Sequence, residues 1–259
     1  MSCADVSLPD RCLTALRYYV GEASARLELP QDPKAYNTLN ALFFDGLSTE
    51  RARVSEGRSL NGELLLFPEA LTALCRDLLQ ALEQGKADAA DGPLYRVERE
   101  TDAQIMRSLS GTVSFTSTSR AGFLNAYTDK RRLVLMEFRL PAGTPRADMA
   151  RLLPRYIKPQ EAEVLLPPGL PLCFRERHLT AAEKNIRDRD GNAPVYALTA
   201  EPGIPAVSAA PVPLPVTAGD AAAGRRVYEA LLSGREPDAE DTQKYLRFKQ
   251  AFRRNLSNG

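Results

Sequence analysis

The chain has 259 residues and a mass of 28.5 kDa, room for one sizeable domain or for one domain with a small appendage. Hydrophobic residues make up 44% and charged residues 26%, which excludes a wholly disordered chain. With 34 Lys+Arg against 33 Asp+Glu the net charge is +1, so no dominant basic field for nucleic acid exists, and no apolar run approaches the ~20 residues of a membrane span.

The first ten residues lack the basic and apolar regions of a secretory signal, so no Sec-type leader is expected. Helical spacing comes first. Leu13, Leu16, Tyr19 and Val20 recur at three and four residues, and Pro30 and Pro33 close that segment. A second helix is predicted over 34–44, with Tyr36, Leu39, Leu42 and Phe43 on its apolar side. Pro68 opens a third, whose stripe of Leu71, Leu74, Leu78, Leu79 and Leu82 runs to Gly85. From Leu94 the texture changes to short extended runs at 94–97, 111–118, 133–140, 162–166, 170–174 and 195–200, bounded by Pro, Gly or Asp-Gly. Helical pieces are predicted between them at 102–109 and 120–127. Helices followed by many short strands imply an α+β fold with a mostly antiparallel sheet. After Glu201 the prolines at 202, 205, 211, 213 and 215 mark an extended linker. Two helices, 220–232 and 238–256, complete the chain. The second carries Lys244, Arg247, Lys249, Arg253 and Arg254: either a solvated face or a docking surface for an acidic partner or membrane headgroups.

Cysteines 3, 12, 75 and 173 have no CxxC spacing, and His178 is the single histidine. These counts exclude a disulfide scaffold and a His-rich metal site, and no metal is expected. Cys173 and His178 are available for thiol chemistry, although cysteines more commonly act as small buried hydrophobes.

Three motifs carry chemistry. Leu94-Tyr95-Arg96 places a guanidinium fork, the natural partner of a pyrophosphate, on the first strand; the alternative is a salt bridge with Glu98 or Glu100. Phe115-Thr116-Ser117-Thr118-Ser119 offers hydroxyls able to fix a ribose or hold a carboxylate, or is simply a half-exposed strand. Glu161-Ala162-Glu163 precedes Val164-Leu165-Leu166-Pro167-Pro168. In an extended segment its two carboxylates would share one face, and their repulsion would favour protonation of one. Such a pair suits a reaction that builds positive charge on a sugar carbon; the alternative is a wet strand edge.

The three motifs in this order, with Ser117 lying 21 residues after Arg96 and Glu163 lying 46 residues after Ser117, resemble the mono-ADP-ribosyltransferases of the R-S-E class. That class includes clostridial binary toxins, vertebrate ecto-enzymes and bacterial effectors. The segments 15–19 and 36–42 are similar to the two helices that precede the fold in that family, and the resemblance spans about 12–201. Val97 departs from the glycine often found after the first-strand arginine. The histidine of the His-Tyr-Glu relatives is missing from the first strand, since His178 follows the E-x-E.

The resemblance implies an ADP-ribosyltransferase-like α+β fold, an N-terminal helical layer followed by a two-sheet β core. It implies a catalytic domain over 1–201; the Pro-rich linker at 202–219 and the helical tail at 220–259, read from composition, lie outside it. It implies NAD as co-substrate and a protein side chain as acceptor. Glu163 would hold the nicotinamide-ribose 2′-hydroxyl, and Ser117 would orient Glu163 and the ribose with support from Thr118 and Ser119. Arg96 would bind the phosphates, Phe123 (or Tyr127) would stack on nicotinamide, and Glu161 would position or deprotonate the acceptor. Nicotinamide leaves as a neutral ring, so no general acid has to protonate it. The acceptor expected from Glu161 is arginine, but effectors with a similar motif set modify threonine on ubiquitin, and both stay open. The expected protein is a monomeric secreted effector or toxin acting in the host or target-cell cytosol. The other function left open is a catalytically silent module that binds partners through its C-terminal helices.

Overall fold

The computed structural model describes residues 8–22, 27–86, 92–121, 132–155, 162–187, 192–204, 214–215 and 217–256. Two compact units emerge, and they divide the chain differently from a boundary at 201. One comprises Leu82–Ala206; the other joins Ser7–Ala81 to Val207–Gly259.

The second unit is helical: α1 (Asp10–Tyr19), α2 (Ala35–Ala41), α3 (Ser48–Ser55), a 3₁₀ turn (Gly62–Leu66), α4 (Pro68–Gln84) up to Ala81, and then α7 (Ala218–Leu232) and α8 (Ala239–Leu256) from the far end of the chain. The leucines of the expected stripes are inside, Leu16, Leu39, Leu42 and Leu78 being fully buried. The C-terminal helices supply the aromatic half of this core. Tyr228 and Tyr245 meet edge to face at 5.5 Å, and Tyr245, Phe248 and Phe252 stack along one face of α8. Phe252 meets Phe43 at 6.1 Å. Gly224 lets α7 approach closely, since a Cβ there would lie 2.7 Å from the Tyr245 ring and 2.8 Å from Leu65.

Four of the five basic residues of α8 find partners within this unit. Lys249 is 1% exposed and donates to Glu50 Oε1 (2.7 Å) and to the carbonyl of Gly46 (2.8 Å). Arg253 binds Asp45 at 2.7 Å and the carbonyl of Phe43 at 3.0 Å, Arg247 reaches Asp220 at 3.3 Å, and Lys244 pairs with Glu240.

The first unit is built on one seven-stranded sheet, in the order β4-β5-β2-β1-β3-β7-β6. The strands are β1 (Leu94–Arg99), β2 (Thr116–Ser119), β3 (Leu133–Phe138), β4 (Ala147–Asp148), β5 (Glu163–Leu166), β6 (Leu172–Arg177) and β7 (Pro194–Pro202). All neighbours are antiparallel except β3 and β7. The two expected sheets are therefore one, joined where β1 meets β2 by a single pair, Tyr95 opposite Ser119. Side-chain alternation gives the sheet two faces. One carries Leu94, Val134, Met136, Phe138, Val164, Leu166, Leu198 and Ala200, and α5 (Glu100–Ser108) packs on it through Ala103 and Met106. The other carries a smaller cluster of Val97, Leu133, Leu135 and Ala197, against which Tyr95, Leu179 and Ile186 pack. A short helix, α6 (Met149–Leu152), follows β4, its first turn capped by Asp148.

Candidate active site

The site is set by how three strands pair. β2 and β5 are in register along their whole length, with Ser117 opposite Leu165, Thr118 opposite Val164 and Ser119 opposite Glu163. Ser117, Ser119 and Glu163 therefore share one sheet face, and a directly opposed pair such as Ser119 and Glu163 has Cβ atoms about 4.5–5.5 Å apart. Ser117 and Glu163 are both half-buried, so the face they share is reachable from water. Thr118 points to the other face, is 3% exposed, and donates its hydroxyl to the Val164 carbonyl at 2.7 Å. Its place is in the strand pairing, away from Ser117 and Glu163.

Ser119 Oγ accepts from the amide of Ala121 (3.0 Å), closing the turn that ends β2. The amide of Arg120 then donates to the carbonyl of Ala162 (3.1 Å), so the pairing of β2 and β5 continues into the residue before Glu163. Arg120 also donates to Asp148 at 2.6 Å, tying β2 to the edge strand β4.

Ala162 has φ +40°, in the left-handed region that costs an L-residue roughly 1–2 kcal/mol. This corrects the extended reading of Glu161-Ala162-Glu163. The residue before Glu163 is left-handed rather than extended, and Glu163 is placed by the sheet opposite Ser119. Glu161, Phe123 and Tyr127 lie outside the described residues, as does most of the helix expected over 120–127.

Arg96 sits on the face opposite Glu163, because its neighbour Tyr95 is the residue paired with Ser119. Its guanidinium donates through Nη1 to the carbonyl of Ser117 (2.7 Å) and through Nε to Glu98 Oε2 (2.6 Å). β1 and β2 share a single registered pair, and the guanidinium adds a second link between the strands at the Ser117 carbonyl. Glu98 is buried and also accepts from the amide of Arg99 at 3.1 Å, which fixes the carboxylate that holds Arg96. The expected link to Glu98 is thus present, and Arg96 keeps 19% of its side chain exposed. Val97, where the resemblance led one to expect glycine, is 4% exposed and packs in the smaller core cluster.

A row of polar groups continues from Glu163 across the sheet. Ser119 is opposite Tyr95, Tyr95 opposite Glu137, and Glu137 opposite Thr199. Glu137 is held by two arginines, Arg177 Nη2 at 2.7 Å and Arg139 Nε at 2.9 Å. Arg177 also donates to both oxygens of Glu183, at 2.7 and 2.8 Å, and to Thr199 at 3.1 Å. The guanidinium holds the Glu183 carboxyl down at about 2, while burial and the nearby Glu137 and Glu183 charges push the Tyr95 phenol up. Motif reading missed Tyr95 and this ion cluster. The signal was the Leu94-Tyr95-Arg96-Val97 alternation, which places Tyr95 and Val97 together but does not say what lies across from them. Cys173 is exposed on β6, opposite Glu201.

No protein-family model matches the sequence, and no curated protein matches it. The structure is similar to several solved ones. A clostridial ADP-ribosyltransferase, from Clostridium botulinum, aligns over 76% of this chain and 88% of its own, with 12% identity and a TM-score of 0.42. The Salmonella SpvB ATR domain aligns over 74% of this chain and 98% of its own, with 14% identity and a TM-score of 0.46. The catalytic domain of VahC from Aeromonas hydrophila aligns over 75% and 99%, with 20% identity and a TM-score of 0.40.

Proposed function

We propose that the chain is an NAD-dependent protein mono-ADP-ribosyltransferase. The observation that carries this reading is the shared face of β2 and β5: one half-buried carboxylate, Glu163, on the face of half-buried Ser117 and buried Ser119, and next to a strained residue. A carboxylate flanked by two hydroxyls is a donor and acceptor set suited to the hydroxyls of a ribose. Backbone strain next to such a set is typical of sites where position matters more than stability.

NAD supplies a ribose whose C1′–N bond to nicotinamide breaks with both electrons going to the ring nitrogen, so the leaving group needs no proton. Glu163 accepts a hydrogen bond from the 2′-hydroxyl and stabilises the positive charge that grows on the sugar. Ser117 and Ser119 hold the ribose and the carboxylate in register. Arg96, on the opposite face, acts on the site indirectly, by holding the Ser117 carbonyl and so fixing the β2 strand. The acceptor nucleophile bonds to C1′ and loses its proton, a role assigned to Glu161. Phe123 stacks on nicotinamide and Thr118 supports the strand. The acceptor is an arginine or threonine side chain of a host protein, ubiquitin among the candidates, and the protein acts as a monomeric secreted effector in the target-cell cytosol.

The test is nicotinamide release from NAD by the purified chain without acceptor, beside labelling of a eukaryotic lysate with biotinylated NAD and mass spectrometry of modified peptides. Wild-type protein releases nicotinamide and labels a discrete target. Glu163→Gln lowers both by about 10² or more, on the scale of losing one preorganised transition-state contact, with an unchanged melting curve. A wild-type protein silent in both assays, or a fully active Glu163→Gln variant, refutes the proposal.

A further inference from the structure

We propose that Tyr95 is a further substrate-contacting residue of this site, its ring forming the wall beside Ser119 and Glu163 that takes a flat, positively charged ring. The inference rests on the proposed NAD reaction and adds a residue that the motif set does not contain. The sheet register puts Tyr95 next to Ser119 and one strand further from Glu163, on the same face. Two strand spacings are about 10 Å, within reach of one nicotinamide riboside unit whose ribose lies on Ser119 and Glu163. Tyr95 is half-buried, so part of the ring is open and part is seated.

Its seat is firm. Leu179 and Ile186 pack with it on the cluster of Val97, Leu133, Leu135 and Ala197. The segment bearing Leu179 and Ile186 is fastened by Arg177, which binds Glu183 within that segment and Glu137 beneath it. Glu137 is the residue across from Tyr95 on the side away from Ser119. Burial first, and then the Glu137 and Glu183 carboxylates against Arg177 and Arg139, disfavours ionisation of the phenol. A neutral, electron-rich ring fixed in this way attracts a pyridinium and has no such preference for the uncharged nicotinamide released from it.

The experiment compares wild type, Tyr95→Leu, Tyr95→Phe and Glu163→Gln for NAD hydrolysis, with inhibition by nicotinamide and by cationic N-methylnicotinamide. Leucine keeps apolar bulk on the core cluster, so the melting temperature of Tyr95→Leu reports whether the fold has been disturbed. The expected result for Tyr95→Leu is a KM for NAD raised about 3- to 30-fold at an unchanged melting temperature, with selective loss of inhibition by the cation. Tyr95→Phe recovers most of that loss. If wild type hydrolyses NAD and Glu163→Gln does not, yet Tyr95→Leu keeps the wild-type KM and inhibitor preference, the Tyr95 assignment falls and the proposed function stands. A Tyr95→Leu variant that loses its fold together with its activity also overturns the assignment, because the residue is then structural. A wild-type protein that releases no nicotinamide overturns both.

Discussion

Replacing Lys249 by methionine is expected to destabilise the helical unit more than any exposed charge change in the chain. Lys249 and Glu50 are 1% and 0% exposed, and the amine makes two bonds, one to the carboxylate and one to the carbonyl of Gly46. Glu50 Oε1 also accepts from Tyr245 at 3.1 Å, and the Tyr245 hydroxyl meets that of Tyr228 at 2.8 Å. Glu50 Oε2 already lacks a partner, so removing the amine leaves a buried carboxylate with one phenolic donor. Breaking such a pair from one side costs about 3–5 kcal/mol, or a fall of the order of 10–20 °C in melting temperature for a unit of this size. Burial outweighs the attraction of Glu50 at Lys249, whose pKa is lowered. The pair as a whole therefore contributes little, and Glu50→Leu with Lys249→Met should recover most of the loss. Urea denaturation followed by far-UV circular dichroism on the four proteins of the double-mutant cycle measures the coupling. A cost below about 1 kcal/mol for Lys249→Met, or a double variant as unstable as the sum of the singles, would show that the two buried charges are not coupled.

Three further outcomes are expected. Gly224→Ala should destabilise by about 1–3 kcal/mol despite alanine's better helix propensity, because the new Cβ meets Tyr245 and Leu65 below 3 Å; an increase in melting temperature would contradict the packing. Glu183 titrates at about 2 when folded against 4.5 when free, so its contribution is complete above pH 4.5 and is lost as the pH falls toward 2. The loss is about 1–3 kcal/mol, and acid denaturation of Arg177→Met should lack it. At Ala162, glycine should be neutral or stabilising by up to about 1 kcal/mol, since it relieves the left-handed strain and costs some unfolded-state entropy; valine should cost more than 1 kcal/mol, and equal melting temperatures for the two would refute the strained backbone.

The fold was legible where a periodicity had room to repeat. The leucine stripe of α4 and the apolar runs of β1, β3 and β5 appear in the sequence within a few residues of their observed ends. α3, Ser-Thr-Glu-Arg-Ala-Arg-Val-Ser, was not, because it has no apolar stripe: its buried residue is Glu50, whose partners Tyr245 and Lys249 come almost 200 positions later. β4 and α6, of two and four residues, are too short for any pattern to show. The E-x-E and S-T-S motifs were legible as residues, but not the left-handed backbone at Ala162, since backbone sign leaves no trace in a non-glycine sequence.

The five positive charges of α8 show why charge alone does not define a docking face. Read along the chain, Lys244, Arg247, Lys249, Arg253 and Arg254 have no acid among them. Four of them find acids in the fold: Asp45 and Glu50 from the first fifth of the chain, Asp220 from α7, and Glu240 one turn back in α8 itself. Tyr245, Phe248 and Phe252 lie between those charges at helical spacing and are buried, so the same face that carries Lys249 is the core face. A helix that spends its aromatic stripe and its innermost lysine on α3 and α7 is part of the unit's interior. Any partner that required that face would first have to break the Glu50–Lys249 pair.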